Sequence, residues 1–192
     1  ELLNLMKEAG CVGIEYGFES GSQRVLDLMN KRLKIGESLA AAELTRRARM
    51  RFQANIIVGY PGEREEDFKK TISFIKDVKP NMVGFNIFMP LPGTPSYDKL
   101  KGESKALPKW DDIGDPEAPQ LNFADMPKEV FEKLYLEARL KVILPMNLRA
   151  FIADNIRNPV RLVRIAFTQF SGVLIKTYRS LVKLSALKRS AH

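Results

Sequence analysis

Cysteine and histidine are almost absent from this chain: Cys11 is the only thiol, and His192, the final residue, is the only imidazole. One cysteine excludes a disulfide framework and any thiolate metal site built by these residues alone. Without an internal histidine, no Ser-His-Asp triad can be assembled here. Such usage makes a reducing, cytoplasmic setting the default. Long apolar runs are missing as well, so no segment reads as a membrane-spanning helix. Acidic residues are lacking at one end only. Residues 145–192 hold 9 Lys+Arg against the single Asp154, whereas residues 1–144 hold 22 of each sign. The net charge of +8 therefore belongs to the tail, and a nucleic-acid groove across the core is not expected. The chain also lacks an initiator methionine and any targeting pattern, and it opens inside a helical pattern (ELLNLMKEAG), which reads as a piece of a longer protein.

What is present is a core-forming composition, 45% hydrophobic and 28% charged, with two alternating periods through the first ninety residues. Residues 1–9, 22–29, 37–51 and 65–78 carry helical spacing, and the last has an acidic first turn that suits its dipole. Residues 11–18, 53–58 and 82–89 read as strands. Nearly continuous apolar strands alternating with helices predict a parallel sheet covered by helices. A Pro-, Gly- and Asp-rich stretch runs from Pro90 to Asp125, and helices resume near Pro127, with breaks expected at Pro145 and Pro159. The expected organisation is a core over 1–100, an irregular connection over 101–126 and a helical, basic extension over 127–192.

In parallel β/α units every strand-to-helix loop lies on the same side, where such folds bind ligands. Three loops should therefore converge: residues 17–22 (GFESGS), 59–63 (GYPGE) and 89–95 (MPLPGTP). Alternation along the first strand puts Cys11, Gly13, Glu15, Gly17 and Glu19 on one face and Val12, Ile14, Tyr16 and Phe18 on the other. The bulky face should pack on helices. A face of glycines and carboxylates suits an open or partial barrel that holds an elongated polar ligand.

Several familiar patterns are excluded. GFESG does not place its serine as a nucleophile elbow requires. GYPGE lacks the remainder of a phosphate loop, and no G-x-G-x-x-G opens a helix. The order IEYGFESGSQRVLDLMNK, NIIVGYPGEREEDF and VGFNIFMPLPGTPSYD instead resembles the radical S-adenosylmethionine (SAM) superfamily, and more narrowly its branch with an upstream cobalamin-binding domain. The resemblance covers roughly residues 1–100.

It implies an α/β fold, the C-terminal half of a partial (β/α)6 TIM-type barrel with parallel strands, followed by the helical extension. It also implies that SAM lies across the strand tops, and that a [4Fe-4S] cluster on a C-x-x-x-C-x-x-C loop upstream of this chain cleaves it reductively to start radical chemistry. In the cobalamin branch a methyl group can pass through cobalt instead. Carried onto this sequence, the resemblance makes Glu19 a hydrogen-bond partner of SAM and Lys31 the partner of the SAM carboxylate. Asn55 takes a ribose contact, Ile57 packs on adenine, and Met89 ends the last strand beside the adenine edge. Glu19, Asn55 and Ile57 are expected to face one cavity. The lone Cys11 cannot replace a cluster loop.

Residues 160–184 form a basic amphipathic pattern, with Arg161, Arg164, Lys176, Arg179 and Lys183 opposite apolar positions. Packing on the protein's own core and peripheral contact with an anionic membrane surface both fit it. Two rival functions stay open: an ordinary barrel enzyme using Glu15 and Glu19 as an acid/base pair, and a non-catalytic assembly or membrane-surface module acting through the tail. The substrate, small-molecule or lipid-like, is not specified by any motif.

Overall fold

The computed structural model describes residues 1–103, 107–108 and 122–155. The basic segment 160–184 and Pro159 lie outside them. Chain order is α1 (Leu2–Glu8), β1 (Gly13–Glu19), α2 (Gln23–Leu28), α3 (Ile35–Arg47), β2 (Arg51–Val58), α4 (Glu65–Val78), β3 (Met82–Ile87), α5 (Pro95–Gly102), α6 (Lys128–Ala138), a π-helical turn (Arg139–Ile143) and α7 (Leu144–Asn155). The three strands form one parallel sheet in the order β1-β2-β3. Among the described residues, no helix is long and apolar enough to cross a membrane.

Alternation decides which face is covered. Phe52, Ala54, Ile56 and Val58 of β2 are buried, and with Phe18 and Val83 they meet Ala42 of α3, Phe68, Phe74, Ile75 and Val78 of α4, and Phe131 and Tyr135 of α6 in one core cluster. Arg51, Gln53, Asn55 and Ile57 point to the opposite face, which no described helix covers to the same depth. The aromatic contacts are largely edge-on, as ring quadrupoles prefer: Phe68 meets Phe85 and Phe131 at centroid distances of 6.2 Å each.

The sheet's two edges differ. The side chain of Asn147 in α7 pairs with the outer edge of β3: its Oδ1 accepts from the Val83 N–H at 2.8 Å and its Nδ2 donates to the Val83 carbonyl at 2.9 Å. An amide thereby supplies what a fourth strand would, and blunts that edge. No strand of the described residues pairs with the outer edge of β1.

Three expectations need correction. β1 begins at Gly13, not Cys11, because its partner β2 begins in register at Arg51. Val12 falls outside the ladder and is 87% exposed instead of packed. β3 stops at Ile87, so Met89 does not end a strand, although the Phe88 N–H still donates to the Val58 carbonyl at 2.7 Å. The Pro-, Gly- and Asp-rich stretch opens into α5, started by a signal present in the sequence: Thr94 is the N-cap, accepting from the Tyr97 N–H, and Pro95 follows it. The helix does not break at Pro145. A proline removes one N–H and clashes with the carbonyl four residues back, and the π-helical turn just before it absorbs that misfit.

Candidate functional site

The three strand-to-helix loops do converge at the carboxyl ends of the strands, and the open face beneath them is built in rows. Glu15, Gln53 and Met82 share one row; Gly17, Asn55 and Gly84 share the next; Ile57 and Asn86 pair above. In the middle row, Asn55 has a glycine on each side, so the floor there is backbone with one polar side chain standing on it. A side chain at either glycine would have to displace a polar group of the open face. A Cβ on Gly84 would lie 2.4 Å from Asn55 Oδ1, and one on Gly17 would lie 2.7 Å from the Glu19 carboxylate.

Glu19 reaches that face by an indirect route. Strict alternation fails at the end of β1, where the register shifts between Gly17 and Glu19 and Glu19 pairs with Ile56. Its backbone is in the left-handed region at φ 63°, uncommon for a residue with a side chain. The bulge turns the carboxylate back over Gly17, where it meets Lys31 Nζ at 3.1 Å. Lys31 is placed by the end of α2: Asn30 turns the chain at φ 54°, and the Lys31 N–H donates to the Leu26 carbonyl at 2.9 Å. The two residues assigned separate roles by resemblance are therefore ion-paired with each other. A zwitterionic amino-acid group could exchange with this pair, its carboxylate on Lys31 and its ammonium on Glu19.

Asn55 and Ile57 share the open face with Glu19 and are half-buried. Met89 lies just past β3, 39% exposed. The cavity of about 630 Å³ in this region is a different space: it runs along the outer edge of β1 and is reached by Gly17, Lys31 and Ser38, not by Asn55 or Ile57. Glu15 and Glu19 do not meet; Glu15 Oε2 accepts from Asn55 Nδ2 at 3.4 Å, and Glu19 is held by Lys31.

Loop 17–22 is less available to a ligand than its composition indicated. Ser20 and Ser22 are buried and bonded to α4, through Thr71 Oγ1 at 3.1 Å and Asp67 Oδ1 at 2.6 Å. Gly21 lies directly under that helix, with no room for a Cβ beside Phe74 and the Thr71 backbone. Arg24 completes the anchor, donating to Asp67 and, at 2.6 Å, to the Gly62 carbonyl. Burial pulls the Asp67 carboxyl upward, and the hydrogen bonds from Arg24, Ser22 and the Arg64 N–H outweigh it and hold it below the usual aspartate value.

The second loop is organised by a residue that sequence reasoning passed over. Glu63 is fully buried, accepts from the Gly59 N–H with Oε2, and leaves Oε1 without a partner among the described residues. Burial pushes its carboxyl up to about 7, against the pull of that N–H. Gly59 and Gly62 supply the positive φ angles the loop needs, 80° and 83°. Gln53 and Gly84 were also missed. A polar residue and a glycine at inward positions of apolar strands were the available signals.

Part of the chain is similar to known proteins. Residues 1–75 fit the family model described as the radical SAM superfamily. The anaerobic magnesium-protoporphyrin IX monomethyl ester cyclase of Cereibacter sphaeroides is 32% identical over 103 residues, 54% of this chain and 17% of its own length. An uncharacterized methyltransferase of Pyrococcus horikoshii is 33% identical over 89 residues, 46% of this chain and 19% of its own. The tRNA-2-methylthio-N(6)-dimethylallyladenosine synthase of Klebsiella pneumoniae is 43% identical over 84 residues, 43% of this chain and 18% of its own. The chain thus spans less than a fifth of the length of these relatives.

Proposed function

Because its first 75 residues belong to the radical SAM superfamily, we propose that this chain supplies the open face on which a radical SAM enzyme binds S-adenosylmethionine. The observation that carries the reading is the row Gly17–Asn55–Gly84, a glycine floor with the Glu19–Lys31 pair at its rim. The residues fit the cofactor. Lys31 and Glu19 would take the carboxylate and ammonium of the methionyl end, Asn55 the ribose, and Ile57 one face of the adenine. The backbone beyond β3, at Met89, would meet the adenine edge. When bound and reduced, SAM supplies a 5′-deoxyadenosyl radical that abstracts hydrogen; the part of this chain is to orient it and exclude water.

The residues do not fit a [4Fe-4S] cluster. Cys11 is the sole thiol, and its Sγ is engaged with the Gly13 carbonyl at 3.3 Å. The ligands of a cluster would have to lie outside these residues, as would any cobalamin-binding domain. The asymmetry of the sheet supports a partial barrel: β3 is closed by Asn147, while β1 is left with an edge to which further parallel strands could add. Two of the relatives are named for different substrates and the third for none, so no substrate transfers to this chain.

The test is anaerobic iron–sulfur reconstitution of the full-length protein followed by SAM titration and 5′-deoxyadenosine detection. The wild type should bind SAM and cleave it, and Lys31→Ala should weaken binding about tenfold or more, as expected for a lost charge-assisted contact. SAM binding unchanged in Lys31→Ala and Asn55→Ala alike would overturn the reading.

A further inference from the structure

We propose that Gln53 and Glu15 are positioning residues that lock the Asn55 side chain with an N–H facing the ligand, so that the atom Asn55 meets is a hydrogen-bond acceptor. The inference rests on the reading of the open face as a SAM site.

An asparagine amide can offer either its oxygen or its nitrogen, and turning the group over exchanges the two. Here the neighbours decide. Glu15 Oε2 lies 3.4 Å from Asn55 Nδ2, and an ionised carboxylate accepts only, so the atom facing it must carry hydrogen. Asn55 Oδ1 is thereby turned to the other side, where Gln53 Nε2 donates to it at 2.8 Å. The order Gln53, Asn55, Glu15 then runs in one direction, set by the carboxylate at its end. Asn55 Oδ1 occupies the space a side chain at position 84 would need, 2.4 Å from where a Cβ would stand, so Gly84 makes room for this orientation. One N–H of Asn55 Nδ2 is used by Glu15. The second has no partner among the described residues, and Asn55 is only half-buried, so a ligand on this face can reach it. Sugar hydroxyl oxygens and purine ring nitrogens accept from such a group; an ammonium or an exocyclic amine does not.

The charged groups that face this chain of amides are Glu15 from β1, Arg51 from β2 and, above Gly17, the Glu19–Lys31 pair. All are shared by wild type and variants, so the test is a ratio. SAM affinity of the full-length protein is measured calorimetrically from pH 4 to 7 for the wild type and for Gln53→Glu, with circular dichroism at each pH. When protonated, the carboxyl introduced by Gln53→Glu donates to Asn55 Oδ1 as the glutamine amide does; when ionised, it cannot. The wild-type to Gln53→Glu affinity ratio should therefore be near one at the acid end and rise about tenfold or more by pH 7, the scale of one misdirected hydrogen bond. Gln53→Lys, a donor throughout, should stay within about threefold of wild type, while Gln53→Met should lose about tenfold at every pH. If Gln53→Glu does not fold, the Lys and Met variants decide. A ratio that does not change with pH, or equal losses in the Lys and Met variants, would overturn the inference while leaving SAM binding by the wild type intact. Failure of the folded wild type to bind SAM would remove the site reading itself, and the inference with it.

Discussion

The two faces of the sheet are made from alternate residues of the same three strands, yet they are constrained in opposite ways. One carries Phe52, Ile56, Val83 and Phe85, packed against α3, α4 and α6, where any loss of volume leaves a void. The other carries Gly17, Asn55 and Gly84, where any gain of volume collides with a polar group. Burial is concentrated on the first face, and the proposed ligand site is on the second. Substitutions should therefore separate into those that unfold the protein and those that spare the fold and abolish binding.

The largest effects belong to the helix-covered side. Phe68→Ala should cost about 3–5 kcal/mol in chemical denaturation, the range for a fully buried phenylalanine. Asn55→Ala, half-buried on the open face, should change stability by no more than about 1 kcal/mol while removing SAM affinity. Equal stability costs at the two positions would contradict this difference between the faces.

Glu63 sharpens it next. Its carboxyl sits near 7 when folded and near the ordinary glutamate value when unfolded, so the folded state holds the proton more tightly. The stabilisation this gives is complete at acid pH, below the unfolded value, and is lost as pH rises through about 7. The size is about 3 kcal/mol. Asp67 has the opposite sign: its folded value is lowered, so its contribution is present above the ordinary aspartate value and is lost as pH falls through the folded one. Glu63→Gln keeps an oxygen for the Gly59 N–H and removes the ionisation. Its unfolding free energy should exceed that of wild type above pH 7 and converge with it near pH 4. Parallel curves for the two proteins would show that Glu63 does not titrate in this range.

The β3 edge should give a smaller effect. Asn147→Leu leaves the Val83 N–H and carbonyl without their amide partner and should cost about 1–3 kcal/mol, measured by denaturation. Amide exchange at Val83 should accelerate in the same variant, with the β1 edge unaffected. An unchanged Val83 exchange rate would mean that the Asn147 amide does not close this edge.

The periodicity of the strands and of α4 was legible because burial follows alternation and helical spacing directly, and Glu65–Val78 agrees at both ends. The parallel order followed from apolar strands interleaved with helices. What periodicity could not supply is what depends on partners distant in sequence. Ser20 and Ser22 look like ligand-binding loop residues until Thr71 and Asp67 are seen beside them. Glu19 and Lys31 read as two separate contacts until a bulge at the end of β1 brings them together. Val12 keeps the alternation of a packed residue but has no register partner in β2. Alternation also carried no warning that Glu63 is buried, since it sits in a turn.

Hydrogen exchange of the full-length protein with and without SAM reports whether the ligand lies on the open face. SAM should protect backbone amides at Gly17–Glu19, at Lys31 and across Gly59–Gly62, and leave the helix-covered core at Phe68–Ile75 unchanged. Binding that protects α3 and α4 while leaving those loops as they were would contradict that placement.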